Sequence, residues 1–221
     1  GTQLHETHPK SDRAESGLRS ALAAYRLLLT DRHFLTLTFI GGLGISSFPI
    51  YLANSPFVLI EHYGLTPTQY SFAFSINAVS FFAVSQLTGW LGQRFGLVPV
   101  MRVAVTAYAF TLVAMAVVMG AGFDQLPVMA AFLFVGYGVL GLVIPTSAVL
   151  ALEEHGAIAG TASALMGTLH FVTAAIAMAI TGLFADGGPL PMAGGIAGAA
   201  GLAFVLTQAT LARRRVGVAA E

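Results

Sequence analysis

Apolar residues along this chain fall into one short periodic stretch and six long uninterrupted runs. Residues 1–17 are polar and lack periodicity, as a linker does. From Leu18 the pattern changes. Leu18, Leu22, Tyr25 and Leu29 recur at helical spacing, with Arg19 and Arg26 on another face. This predicts a short amphipathic helix, either lying on a membrane surface or serving as a solvated linker. The six runs follow at approximately 34–60, 69–91, 98–122, 127–152, 159–184 and 191–212. Each exceeds the roughly 18 residues that mark a membrane-spanning candidate. In lipid the backbone must satisfy its own hydrogen bonds, so runs of this length are expected to be helices, and short alternating barrel strands are absent. The expected architecture is all-α and polytopic: a linker over 1–33, a six-helix transmembrane bundle over 34–212 and a tail over 213–221. Gly41, Gly42, Gly44, Pro49 and Pro56 predict a bent first span that unwinds near Asn54-Ser55-Pro56. Gly136, Gly138, Gly141 and Pro145 predict a kink in the fourth. Gly194, Gly195 and Gly198, and likewise Gly160, Ser163 and Gly167, read as small-residue faces for close helix packing.

The fifth run carries the conspicuous polar residue. From Ala159 to Phe184 about 26 residues, or about 39 Å of helix, contain no Asp, Glu, Lys or Arg. His170 stands about 17 Å from its start, near mid-membrane, where an ionisable group marks a functional site by default. Imidazole titrates near neutral pH, so His170 is a candidate for proton handling. A cavity-lining or hydrogen-bonding role is the alternative. Asn77 occupies the middle of the second run, and it reads as an interhelix hydrogen-bonding group or a substrate contact.

Charge fixes an orientation. With six spans both ends lie on one side, and that side then holds Lys10, Arg13, Arg19, Arg26, Arg32, Arg94, Arg102, Arg213, Arg214 and Arg215, all ten basic residues. The opposite loops carry Glu61, Asp124 and Asp186. The positive-inside rule places both termini in the cytoplasm. Composition agrees with a membrane protein: 56% hydrophobic, 9% charged, mean hydropathy +0.80. Zero net charge and the lack of basic–aromatic motifs speak against nucleic acid. There is no cysteine, nucleotide loop, GxSxG or HExxH, and His5, His8, His33, His62 and His155 are scattered over tails and loops. No enzyme, metal site or cofactor is expected.

A shift of 93 residues lays Thr88-Gly89 on Thr181-Gly182 and Asn77 on His170, which suggests a three-plus-three repeat whose polar groups face one cavity. Three stretches then resemble a known family: Asn54 to Leu59 with Tyr63-Gly64-Leu65 and Phe74-x-x-Asn77-Ala78, Ala159 to Leu165, and Gly89 to Gly96. They are similar to the C-terminal half of a major facilitator superfamily transporter, most like the bicyclomycin/chloramphenicol-resistance family of drug:proton antiporters. Glu6-Thr7 and the Tyr25–Phe34 segment resemble the loop joining the two halves. The resemblance implies proton-coupled export of small lipophilic drugs across a bacterial inner membrane, with this chain as half of a twelve-helix machine. It further implies that the first and fourth spans line the cavity, making Phe48, Tyr51, Phe134 and Tyr137 candidates for an aromatic wall suited to lipophilic cations. Gly89, Arg94 and Gly96 match the superfamily's cytoplasmic gating loop. Gln93 stands where that loop usually has Asp, however, so Arg94 lacks its adjacent carboxylate. The family's embedded coupling acids belong to the first half, and no Asp or Glu lies deep in these six runs. The first residue is Gly, as in a cut or processed end. The rival reading is a membrane bundle that transports nothing: an isolated fragment, or an interacting or homodimerising half.

Because the chain has no native cysteine, the topology is directly testable. Single cysteines introduced at Gln125 and Gly187 will react with an impermeant thiol reagent in intact cells, and those at Gln93 and Ala219 will not. The opposite labelling would invert the orientation.

Overall fold

The computed structural model describes residues 18–211. The polar segment 1–17, with Glu6-Thr7, and the tail 213–221 lie outside the described residues. Helix α1 spans Leu18–Thr30, α2 Arg32–Ser55, α3 Pro67–Ser85, α4 Thr88–Phe95, α5 Leu97–Gly120, α6 Leu126–Leu152, α7 Ala159–Gly182 and α8 Pro189–Leu211. A π-helical turn, Pro56–His62, extends α2, and a 3-10 turn, Glu153–Ile158, joins α6 to α7. Local chemistry sets several of these starts. Asp31 caps α2 by accepting from the backbone N–H groups of His33 and Phe34. Thr66 and Gln69 form a capping box before α3, with Pro67 in the first turn. Gly96, at φ 82°, makes the sharp corner between α4 and α5 that a side chain would resist.

Five continuous helical stretches among the described residues are long and apolar enough to cross a membrane. One of them, Leu126–Gly182, holds two spans. His155 breaks helical geometry within it. A Cβ on Gly41 of α2 would lie 2.7 Å from Ser147 Oγ on α6 and 3.0 Å from His170 Nε2 on α7. Those two residues would be about 35 Å apart along a straight helix, so the chain folds back at the turn. Six helical segments therefore traverse the bundle, α4 continuing α3 beyond Gln86-Leu87. The protein is an all-α polytopic membrane protein.

Helix α2 lies at the centre, packed against α6, α7 and α8, while α5 bridges α6 and α8 and α3 rests chiefly on α6. The two ends are fastened differently. At the Arg32 end, Asp31 Oδ2 lies 3.1 Å from His155 Nε2, against which Phe34 sets its ring edge. Nearby, Gln208 of α8 accepts from Arg102 of α5. At the other end, His62 Nε2 donates to Asp124 Oδ2 at 2.8 Å, and the Tyr63 hydroxyl donates to the same carboxylate. Burial and the adjacent Asp124 raise the Tyr63 phenol above its ordinary pKa, which keeps it a donor.

Several sequence expectations need correction. The first span does not unwind at Asn54-Ser55-Pro56 but widens into the π-helical turn, keeping its backbone bonded. Helix α1 docks through Ala24 and Leu28, and its exposed Leu22, Tyr25 and Leu29 leave the expected amphipathic surface or linker helix standing. The glycines also sort differently. Gly195 meets Thr181 of α7, whereas nothing lies within 4 Å of a Cβ placed on Gly160, Gly167, Gly194 or Gly198. The closest approach to backbone is at Gly141, whose Cβ would sit 2.3 Å from the Phe81 carbonyl oxygen of α3. Backbone cannot yield as a side-chain tip can. Gly141→Ala will therefore lower stability in detergent by about 2 kcal/mol or more, while Gly167→Ala will be neutral or stabilising by up to about 1 kcal/mol. Equal unfolding midpoints for the two variants would refute this packing.

Candidate aromatic cavity and buried polar groups

Among the described residues, the buried side chains of Thr38, Tyr51, Asn77, Thr88 and His170 each hold an atom without a protein partner, and they mark two functionally suggestive places. The first is a cavity of about 360 Å³ bounded by α2, α3 and α6. Phe48 and Tyr51 of α2, Phe74, Asn77 and Phe81 of α3, and Tyr137 of α6 supply its walls, with Ile45, Leu140 and Ile144 between. Tyr51 is the hub. Its ring stacks with Phe74 at 6.1 Å and meets Tyr137 edge-on at 5.8 Å, and Phe48 leans on Phe74 at 5.9 Å.

The tyrosines are held unequally. Tyr137 donates to the Ser47 carbonyl of α2 at 3.1 Å, fixing its ring. The Tyr51 hydroxyl has the Asn77 amide beside it, yet neither it nor Asn77 Oδ1 completes a hydrogen bond within the protein. A buried polar atom left unpaired costs about 1–3 kcal/mol, and these two lie closed off beneath the lining. The cavity is thus an apolar aromatic pocket whose one polar corner is covered in this conformation.

Of the candidates from sequence, Phe48, Tyr51, Asn77 and Tyr137 come together here. Phe134 does not. Its side chain is largely exposed and its carbonyl accepts from Ser80 of α3 at 2.7 Å, so its contribution is to pin α3 on α6. Phe74 and Phe81 were missed. Phe74 lies three residues before Asn77, a helical spacing that could have placed it on the same face. Phe82 also reaches the rim, its ring edge-on to Phe81 at 5.4 Å.

His170 marks the second place. It is 8% exposed, pressed against Gly41 and Gly42 of α2, with the Thr38 backbone near its ring and Nε2 unbonded. A Cβ at position 41 would crowd the imidazole, 3.0 Å from Nε2, whereas one at position 42 would make ordinary contact. His170 and Asn77 do not face one cavity within this chain: one meets α2 at Gly41, the other at Tyr51, about 15 Å further along the helix. Both nevertheless sit buried in mid-span, and Thr88 and Thr181, at helix ends, are buried as well.

The loop candidates lie apart from the cavity. Arg94 stacks its guanidinium over Trp90 at 5.8 Å and Phe95 at 5.7 Å, a cation–π arrangement in place of a carboxylate partner. Gly89 touches nothing that a Cβ would disturb, and Gly96 makes the corner already described.

A bundle of six apolar helices, with a small aromatic cavity among three of them, defines a polytopic all-α membrane protein. Its sequence is 32% identical, over 186 residues, to an uncharacterised MFS-type transporter, YdgK, of Bacillus subtilis (strain 168). The match takes in 82% of this chain and 45% of the relative, so the chain spans about half the length of the curated relative it matches. No family model matches. The similarity supports membership of the major facilitator superfamily, and it agrees with a chain that is not an enzyme.

If the polar corner is kept for a ligand, Asn77→Leu will leave the unfolding midpoint in detergent unchanged or raise it, by up to about 1 kcal/mol, since it removes an unsatisfied buried amide. A loss of more than about 2 kcal/mol would instead make Asn77 a structural residue.

Proposed function

We propose that this chain forms the C-terminal six-helix half of a secondary transporter that exports small lipophilic compounds against proton entry. The observation that carries the reading is the cavity among α2, α3 and α6, with aromatic, apolar walls and the unpaired Tyr51 and Asn77 covered beneath them. Such a surface favours planar apolar or cationic compounds through burial and cation–π contact, with one hydrogen bond for orientation. The match to about half of an MFS-type transporter supports the half-machine reading.

Further features fit. Helices α3 and α7 carry rows of exposed apolar residues, among them Phe72, Ile76 and Val79 on α3 and Phe171, Val172 and Ile176 on α7. These are surfaces that a second six-helix bundle or lipid would cover. Alternating access then proceeds by rocking of the two bundles about a midplane site. Both termini face the cytoplasm of a bacterial inner membrane, residues 1–33 link the halves, and Arg94, with Gly89 and Gly96, marks the cytoplasmic gate. Proton coupling draws on carboxylates of the other half, since these spans hold none at depth. His170 lies against the α2 glycines and acts as a buried hydrogen-bonding group whose Nε2 is available when α2 and α7 move.

Export measured against external pH in cells tests this. His170→Gln will retain export with normal pH dependence, whereas His170→Leu will alter its extent or selectivity. Export uncoupled from the pH gradient in His170→Gln would give the residue a proton-carrying role. Tyr51→Ala will weaken binding of an aromatic cation about tenfold, the worth of one buried cation–π contact. An absence of any transport by the intact protein would leave the non-transporting bundle as the better reading.

A further inference from the structure

On the flank of α2 away from the aromatic cavity, α7 and α8 diverge and leave a cleft with α2 as its floor. Its half at the Arg32 end encloses about 660 Å³ and is bounded by α2, by Thr173 of α7 and by Leu206, Ala209 and Thr210 of α8. Arg32, Thr36, Phe39 and Leu43 mark the α2 face at intervals of four, three and four residues, a single helical stripe. The stripe begins with a cation at the membrane surface, beside His33, and turns apolar within one turn. It covers about 16 Å, the depth of one leaflet of a hydrocarbon core of about 30 Å.

The cleft is mixed in character, polar around Arg32, His33 and Thr36 and apolar towards Phe39 and Leu43. Along its walls Thr173 and Thr210 each donate to a carbonyl of their own helix. Beyond Leu43 the cleft continues as a second apolar recess of about 370 Å³. Gly194 and Gly198 border it, and neither has any atom within 4 Å of where a Cβ would stand. Two recesses that adjoin at Leu43 therefore succeed one another along the membrane-spanning direction, and only the first is lined by cationic side chains. The nearest carboxylate, Asp31, is engaged by the α2 N-terminus and His155. In sequence, α8 is followed by Arg213, Arg214 and Arg215.

We propose that this cleft is a binding site for a bilayer phospholipid with an anionic headgroup. The phosphate lies at Arg32 and His33, and one acyl chain lies along the Arg32–Leu43 stripe towards Gly194 and Gly198. Cationic pockets between transmembrane helices recognise anionic lipid in this way. A soluble anion would leave the apolar length of the cleft unused, and a purely apolar occupant would leave the cations unused.

The test uses the intact protein in mild detergent, with native mass spectrometry and thermal unfolding as readouts. Phosphatidylglycerol and phosphatidylcholine with identical acyl chains are added in parallel. One phosphatidylglycerol will be retained per chain, about tenfold more tightly than phosphatidylcholine. The double variant Arg32→Gln/His33→Gln, which alters only surface-level side chains, will abolish that preference and leave phosphatidylcholine binding unchanged. Ala209→Phe, narrowing the cleft, will weaken both lipids. Equal retention of the two lipids, or an undiminished preference in the double variant, would overturn the proposal. So would an equal thermal shift from soluble glycerol phosphate, which would make the site one for a small anion.

Discussion

In hydrocarbon an apolar side chain gains little by leaving lipid for the side of another helix, so helices associate through close packing and hydrogen bonds. Everything in this bundle depends on the places where that closeness is reached. Helix α6 approaches α3 at Gly138 and Gly141 and α5 at Gly136, and α2 admits Ser147 and His170 only because position 41 lacks a side chain. Hydroxyls complete the attachment. Tyr108 of α5 and Tyr137 of α6 donate to the Gly44 and Ser47 carbonyls of α2, on the side of Pro49 towards its N-terminus.

This scheme explains where the cavity falls. Because α3 is held chiefly by α6, its other faces stay open, and Phe74, Asn77 and Phe82 can line a space rather than fill one. Tyr137 is hydrogen-bonded to α2, whereas Tyr51 and Asn77 keep unused hydrogen-bonding capacity beneath the aromatic wall. A fully satisfied cavity would be more stable and would have less to offer a ligand. The same central helix separates the two recesses: its Phe48–Tyr51 segment serves the aromatic cavity, and its Arg32–Leu43 stripe floors the lipid-facing cleft.

The fastenings at the two ends are polar and local. Asp31 links the start of α2 to the α6–α7 turn through His155, and Asp124 gathers His62 and Tyr63 at the opposite end. Both involve residues that sequence alone left scattered among loops. Their partners lie about sixty to over one hundred and twenty positions away, a separation no local spacing reveals.

What the sequence determined by itself was the number of spans, their limits to within a few residues, and the separation of all basic residues from the loops holding Glu61, Asp124 and Asp186. Lipid imposes these directly, since any chain that crosses it must show long apolar runs with charges outside. The tertiary structure alone decided which face of each span turns inward. Lipid and protein interior are equally apolar, so α3, α6 and α8 carry no hydrophobic asymmetry to read. That is why Phe134 points away from the cavity while Phe74 enters it. For the same reason Gly195 is a contact and Gly194 is not, and His170 and Asn77 meet α2 about 15 Å apart although one alignment superposes them.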